Sequence, residues 1–454
     1  MWKMTNVKRI HFIGIGGISM SGLAEIMHHR GFEVSGSDMR ASEETRHLES
    51  LGVTIMPTHS RSNITPDIDL VVYTAAIADD NPELIQAKDT INKVETRAQF
   101  LGSIMKMYDC PICVAGTHGK TTTTSMLANV LLGADKNPTI TVGGIVEAIS
   151  GNIHIGGHEI FLTEACEYHN SFLDFNPKIG IILNVEADHM DFFKDLDDIR
   201  NSFTKFSNLL PSDGFLVINK NSAPNTADVK CCIETFGLDD SANWYATNVS
   251  FNDKACATFT VNYNGTVLGE LTIGVTGSHN VLNALSVCAV ANFLKVPFSV
   301  LQEYLVDFSG AKRRFEYKGC IHNVTIIDDY AHHPTEIKAT LETAKKYPHK
   351  NLYVVFQPHT YTRTKAFLNE FAQALGTYGH IILTDIYAAR EKNPGDIHSK
   401  DIEKLLAEGG TDVTYIDSFD EIADYLLLTC NPDDLIITMG AGNINQVADI
   451  LLGK

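Results

Sequence analysis

The sequence predicts an α/β protein made of three successive blocks, each built on its own largely parallel sheet. Three observations predict it. Short apolar runs alternate with helical patterns along nearly the whole chain, as parallel strands joined by helical crossovers do. Two glycine turns, Gly14-Ile15-Gly16-Gly17 and Gly116-Thr117-His118-Gly119, each follow an apolar run and open a helix. The composition is that of a globular chain: 454 residues, 44% hydrophobic and 20% charged, ample for several cores.

The first block runs to about residue 106. Arg9 to Ile15 has a buried-strand pattern, and a helix follows to Arg30. Phe32 to Ser37 is a second strand ending at Asp38, and Asp69 to Ala75 a later one. A glycine turn followed by an acid at the next strand end is close to the dinucleotide fingerprint, in which the acid receives a ribose hydroxyl. The third glycine of that fingerprint falls at Ser19. The preferred reading is a nucleotide diphosphate held on the helix end, with no hydride chemistry. A nicotinamide or flavin site and a purely structural turn are the alternatives.

The second block, 107 to 312, opens with Ile112 to Ala115 running into Gly116-Thr117-His118-Gly119-Lys120-Thr121. This is the build of a phosphate-binding loop. Backbone N–H groups at a helix start cradle phosphate oxygens, Lys120 adds a point charge, and Thr121 offers a hydroxyl to Mg²⁺. The common loop has a glycine where this chain has Val114, so the loop is shortened. A chance glycine turn is the alternative. Strands are predicted at 159–163, 178–183 and 214–218, then a β-rich stretch over 231–275 and a helix from about Ser278. Glu164 and the Asn184-to-His189 segment follow two strand ends, where ligands gather on a parallel sheet. Mg²⁺ on a triphosphate takes few hard oxygen ligands from protein, and Glu164 with Thr121 suits that role. His189 is read as serving a second ion or orienting phosphate, with a hydrogen-bonded loop histidine as the alternative. Glu186 and Asp188 read as solvated charges.

The third block, 313 to 454, alternates strands at 324–328, 352–356, 380–385, 413–416 and 435–439 with helical patterns. Arg313-Arg314 lies at the join, where an arginine on a hinge could meet transferring phosphate, with a solvated basic pair as the alternative. The segments Asp328 to Glu336 and Gln357 to Arg363 are both rich in polar groups and both follow strands. They should face one edge of the sheet as a binding surface, with Thr335 helping to cap the helix after it. No cysteine or helical His-x3-His accompanies their histidines, which argues against zinc.

Lys+Arg 36 against Asp+Glu 55 gives a net charge of −19. That disfavours general nucleic-acid or anionic-membrane binding. Nine cysteines spread along the chain predict reduced, buried thiols in a cytoplasmic protein. Glycines break the first apolar stretch, so it reads as a strand rather than a signal peptide. No apolar run is long enough to span a membrane.

The shortened phosphate loop, Glu164, Asn184 through His189, His279-Asn280, Arg313-Arg314-Phe315 and the Asp329-to-Glu336 loop occur here in one order. In that order they resemble the ATP-dependent Mur ligases of peptidoglycan synthesis, over nearly the whole chain. His11 to Gly17 and Tyr330 to Glu336 look most like the member that acts first. The resemblance implies a Rossmann-like UDP-sugar domain (1–106), a central P-loop ATPase-type domain with a parallel or mixed sheet (107–312) and a Rossmann-like C-terminal domain (313–454). It implies that ATP phosphorylates the lactyl carboxylate of UDP-N-acetylmuramate and that L-alanine's amine attacks the acyl phosphate. This serves cell-wall biogenesis, and through it cell shape and division. ATP and Mg²⁺ are the cofactors implied.

By the same resemblance, Gly116, Thr117, His118, Gly119, Lys120, Thr121 and Thr122 bind the phosphates, and His279, Asn280 and Asn283 lie by the adenine. Arg314 approaches from the hinge. Asp329 lies on the nucleotide side, and Tyr330, His332, His359 and Arg363 on the acceptor side. Gly16, Gly17, Asp38 and Thr74 meet the UDP portion. Lys120, Glu164, His189 and Arg314 carry catalysis, and Thr121, Glu164 and His189 hold metal. Glu167 is second choice to Glu164. The family often has arginine at Thr360, and Lys205 is no firm equivalent of the carbamylated lysine of several relatives.

The nearest rival is a murein-recycling ligase that attaches L-Ala-γ-D-Glu-diaminopimelate to the same sugar nucleotide, with nearly the same motifs. A folylpolyglutamate synthetase shares the short loop but does not account for the first block. A non-catalytic nucleotide sensor needs damaged catalytic positions, and those positions are intact. A dehydrogenase leaves the phosphate loop idle.

Overall fold

Arg9–Ile13, with four buried residues in a row, is the middle strand of a five-stranded parallel sheet. The spatial order is Thr54–Met56, Glu33–Ser37, Arg9–Ile13, Leu70–Tyr73, Val94–Thr96. Every pairing is parallel, so each connection must cross over, and helices such as Ile18–His29 and Pro82–Thr90 do so. The structure is a computed structural model that describes residues 7–190, 192–376, 378–389 and 391–454. Its chain divides into two compact units: Met1–Val185 with Arg200–Thr235 and Ala289–Val296, and Glu186–Ile199 with Phe236–Cys288 and Pro297–Lys454.

The first unit holds this sheet and a second one. The second runs in the order Phe215–Asn219, Ile179–Ile182, Cys110–Ala115, Ile160–Ala165, Thr139–Val146, Gly151–His154, with only the last pair antiparallel. The final two strands have no apolar run to announce them, because glycines at 143, 144 and 151 interrupt the pattern. Against the first sheet, the buried carboxylate of Glu83, in the first turn of helix Pro82–Thr90, accepts from Ser37 Oγ (2.6 Å) and Asn63 Nδ2 (3.1 Å) and meets His11 Nε2 (2.7 Å) and His59 Nδ1 (3.0 Å). A charge removed from water needs that many partners. Arg30, just past the helix Ile18–His29, reaches to the second sheet. Its guanidinium donates to Gly156 O (3.0 Å) and Gly157 O (2.8 Å) and meets Tyr108 Oη (3.2 Å) and His158 Nε2 (2.9 Å).

The second unit contains antiparallel strands Trp244–Phe251, Cys256–Tyr263 and Thr266–Thr276, within the stretch expected to be β-rich. It also contains a six-stranded sheet in the order Glu316–Ile321, Val324–Asp329, Leu435–Met439, Leu352–Phe356, His380–Leu383, Val413–Tyr415. All but its first pair are parallel. Phe356, Phe371, Leu383 and Ile437 fill one face, and Ile326, Val355, Ile436 and Val447 the other. Residues buried on both faces explain why these strands read as unbroken apolar runs.

The α/β class with three sheets is as the sequence predicts. Among the described residues no helix is long and apolar enough to cross a membrane. All nine cysteines are unbridged, but the expectation that they are buried is only partly met. Cys113, Cys231, Cys256 and Cys288 are buried, whereas Cys232 and Cys320 are exposed on strands with a solvent-facing side.

Candidate active site

The fully buried core of Cys110–Ala115 delivers the chain to Gly116. Gly116 has φ +141°, and a Cβ there would lie 2.9 Å from Leu183 Cβ, so only glycine fits. Gly119, at φ +84°, is the N-cap of helix Lys120–Gly133. Asn184 braces the turn between them. Its Oδ1 accepts from His118 N (2.7 Å), its Nδ2 donates to His118 O (3.1 Å), and its carbonyl accepts from Thr117 N (3.1 Å). Thr121 and Thr122 lie buried in the first helical turn.

Lys120 Nζ folds back over the turn, donating to Gly116 O and to Thr117 O (3.0 Å) and pairing with Glu167 Oε2 at 3.1 Å. Burial opposes its charge, but Glu167 foremost among nearby anionic groups outweighs that and raises its pKa above the ordinary lysine value. Glu167, second choice from sequence, is thus the direct partner. Glu164, on the same strand end, instead accepts Gly143 N–H on Oε1 at 2.6 Å, and its Oε2 has no hydrogen bond among the described residues.

The other glycine turn occupies the carboxyl edge of the first sheet. Gly14 N and Ile15 N donate to Ser37 O (2.8 and 3.0 Å), and Gly16 N donates to Asp38 Oδ2 (2.9 Å). Gly14 has φ +81°, and a Cβ there would come 2.7 Å from Thr74 Cγ2. Gly17 is the N-cap of Ile18–His29. Gly16, Gly17, Asp38 and Thr74 are therefore gathered at one helix start, the arrangement that receives anions.

In the second unit Asp188 is 6% exposed, not the solvated charge the sequence suggests. Its Oδ1 accepts from Arg363 Nη2 (3.1 Å) and from His189 N (2.7 Å). Burial would raise the Asp188 pKa, but Arg363 and His189 hold it well below the usual carboxylate range. His189 has φ +53°, a left-handed backbone that non-glycine residues seldom adopt. Arg363 Nη1 lies 3.3 Å from His359 Nδ1, and Arg363 Nε is buried with no hydrogen-bond partner among the described residues. The rings of His332 and His359 are 5.6 Å apart, and His332 Nδ1 is 3.0 Å from Tyr330 O. Burial lowers both histidines to about 4, so both are neutral at pH 7. The helix cap in this loop is His333, not Thr335. His333 accepts Thr335 N–H, and Glu336 accepts back from His333 N, because Pro334 takes the first helical position.

The two arginines at the join have separate tasks. Arg313 is structural, binding Asp328 (2.9 Å), Gly442 O (2.9 Å) and Gly440 O (2.7 Å). Arg314 lies over the Tyr330 ring at 5.1 Å. Asp329 accepts from Phe315 N and Ala331 N, both at 2.7 Å, and burial pushes its pKa up to about 6 against the pull of Arg314. Earlier in the chain, helix His279–Phe293 begins with His279 exposed and Asn280 and Asn283 buried. Asn280 Nδ2 donates to Thr276 O (2.6 Å), and Asn283 Nδ2 to Asn280 Oδ1 (2.8 Å). Lys205 is exposed. No group of three acidic, histidine or cysteine side chains suited to a metal occurs among the described residues.

Three α/β blocks with a shortened phosphate-binding turn opening the second define a three-domain nucleotide-dependent architecture. The chain belongs to the Mur ligase family. The family's catalytic domain matches residues 9–109, the Mur ligase middle domain 114–291 and the Mur ligase glutamate ligase domain 313–442. The chain is 51% identical to the UDP-N-acetylmuramate–L-alanine ligase of Agathobacter rectalis over 98% of both chains. It is 48% identical to that of Caldanaerobacter subterraneus over 98% of this chain and 97% of the relative. Among solved structures, the UDP-N-acetylmuramate-alanine ligase of Thermotoga maritima matches with TM-score 0.81 and 31% identity, covering 98% of each chain. A murein peptide ligase from Psychrobacter arcticus matches with TM-score 0.71 and 26% identity, also covering 98% of each.

Proposed function

We propose that this chain joins the lactyl carboxylate of UDP-N-acetylmuramate to the amine of L-alanine in the cytoplasm, with ATP converted to ADP and phosphate. The observation that carries the reading is near-full-length likeness, at about half identity, to relatives bearing that name. The tripeptide-adding reading is weaker, since the murein peptide ligase is the more distant match in both identity and TM-score. The blocks 1–106, 107–312 and 313–454 are taken as its domains.

A carboxylate is a poor electrophile, and phosphorylation gives it a leaving group. The turn from Gly116 to Thr122 holds the triphosphate by backbone N–H groups, and Lys120 exchanges its carbonyl contacts for phosphate oxygens. Glu167 keeps that lysine charged. The hard oxygens of Thr121 and Glu164, the latter with one carboxylate oxygen open, fit Mg²⁺, and His189 is assigned to the second metal position. Bound there, Mg²⁺ would supply charge compensation on the phosphates. Arg314 is assigned to the transferring phosphoryl group, and Asp329, His279, Asn280 and Asn283 to the rest of the nucleotide. Gly16, Gly17, Asp38 and Thr74 hold the UDP portion. Arg363, His332, His359 and Tyr330 form the acceptor side, where Arg363 Nε, which has no partner among the described residues, can donate to the amino acid's carboxylate. No side chain need become covalent, because positioning and electrostatics carry the rate.

The test is phosphate release from ATP with UDP-N-acetylmuramate, with and without L-alanine, and the mass of the product. One added alanine is the expected result. Release only with L-Ala-γ-D-Glu-diaminopimelate would replace this reading with the recycling one.

A further inference from the structure

Arg363 and His359 are held by residues that no motif announces. Arg363 rides on the six-residue helix Tyr361–Ala366, whose first N–H groups need acceptors from outside. Thr360, the N-cap, supplies only a long contact, its Oγ1 lying 3.4 Å from Arg363 N. Thr360 also sits at φ +67°, a costly backbone for a β-branched residue. The missing acceptor arrives from thirty residues away. Glu391 Oε2 accepts Tyr361 N–H at 2.6 Å and Thr362 N–H at 3.0 Å, and Glu391 Oε1 accepts the Thr362 hydroxyl. Tyr387 ties down the residues just before. Its carbonyl accepts Thr360 N–H (2.9 Å), its N–H donates to Pro358 O (2.9 Å), and its ring stacks on His359 at 5.7 Å.

We propose that Glu391 is a positioning residue for the acceptor amino acid, fixing Arg363 through the first turn of its helix while Tyr387 backs His359. The inference rests on the assignment of Arg363 to the acceptor carboxylate. A carboxylate at these N–H groups also opposes the helix-end dipole, so the turn stays closed at φ values its own sequence disfavours. Glu391 bonds to the backbone and hydroxyl of the helix rather than to Arg363, so its loss should misplace the guanidinium without removing it.

Full-length Glu391→Gln keeps the size and removes the charge and one acceptor. Its KM for L-alanine should rise roughly tenfold, the scale of losing a helix cap. KM for ATP and for UDP-N-acetylmuramate should stay within about twofold, and Tm should fall little, because the effect is one of alignment. Thr362→Val, which removes only the hydroxyl contact, should raise the same KM by a smaller factor. Combined with Arg363→Lys, Glu391→Gln should add less than its single effect. An unchanged alanine KM in Glu391→Gln overturns the proposal. So does a parallel rise in all three KM values with a large loss of Tm, which marks a merely structural role. Should Glu391→Gln not fold, an unchanged alanine KM in Thr362→Val overturns it. Wild-type enzyme that ignores L-alanine sinks the functional reading itself, whereas active wild type with an indifferent Glu391→Gln sinks this inference alone.

Discussion

Lys120 and Glu167 form an ion pair at the mouth of the phosphate turn, with Nζ and Oε2 3.1 Å apart and the carboxylate almost wholly buried. The pair favours the charged ammonium, against burial, which favours the neutral amine. It also holds that ammonium over the carbonyls of Gly116 and Thr117, next to the N–H groups assigned to phosphate.

Lys120→Ala should abolish measurable ATP turnover, a loss on the order of 10²–10³ or more for a charge aimed at transferring phosphate. Glu167→Gln should be milder and should leave nucleotide-dependent thermal stabilisation detectable. Phosphate-release kinetics and melting with ATP separate the two. Wild-type turnover in Lys120→Ala would end the phosphate-turn assignment.

Arg314→Ala should lower kcat roughly a hundredfold with a smaller change in KM for ATP, because its assigned charge matters in the transition state. Arg313→Ala should instead lose stability, as Asp328 and two carbonyls of the 440–442 turn lose their partner. Urea unfolding and steady-state kinetics on both variants would show whether neighbours in sequence have these opposite effects.

Asp188→Asn should destabilise the fold by about 3–5 kcal/mol, the usual cost of breaking a buried ion pair by removing one member. The acid side follows from the same contact. Burial favours the protonated carboxyl, but Arg363 and His189 depress its pKa below the unfolded value. The pair's contribution is therefore complete above the ordinary carboxylate range and is lost as pH falls beneath it. Urea midpoints against pH in wild type and variant would reveal the difference.

His332 and His359 are lowered to about 4 by burial, so between about 4 and the ordinary histidine value the unfolded chain binds more protons. Their contribution to stability is full above that window and falls as the pH drops through it. Asp329, raised to about 6 by burial, works in the opposite sense, contributing at low pH and losing that contribution as pH rises through 6. Asp329→Asn should thus steepen the fall in Tm on acidification, and His332→Gln with His359→Gln should flatten it.

Gly14→Ala should raise KM for UDP-N-acetylmuramate several-fold and leave KM for ATP unchanged. The new methyl meets Thr74 Cγ2 at 2.7 Å and the backbone is left-handed, so the turn must open, at a cost of about 1 kcal/mol or more. Equal effects on both nucleotides would contradict a separate role for this turn.

Leu352–Phe356 and Leu435–Met439 were legible to the residue, because strands covered on both faces read as continuous apolar runs. Glu316–Ile321, half-buried and broken by Gly319, carried no such run. Both glycine turns were legible for a related reason, since no other residue fits where a Cβ would strike a neighbour. Asp188 was misread because its partner Arg363 stands 175 residues away, and Glu391 was missed because its value lies in backbone groups 30 residues back. Pairing across such distances leaves no periodicity to read. Glu167 was legible as an acid at a strand end but not as the lysine's partner, since Glu164 offers the same carboxylate three residues earlier.

The reach of Arg30 turns sequence distance into timing. Its acceptors lie from 78 to 128 residues farther along the chain. A polypeptide growing from its N-terminus therefore has all five strands of the first sheet in hand well before Gly156, Gly157 and His158 exist. Until then the guanidinium has only Tyr108 and Thr139 of its acceptors to reach. Docking of the first sheet on the second is thus a late event in synthesis, and a fragment ending near residue 106 would fold, if it folds, with that latch unset.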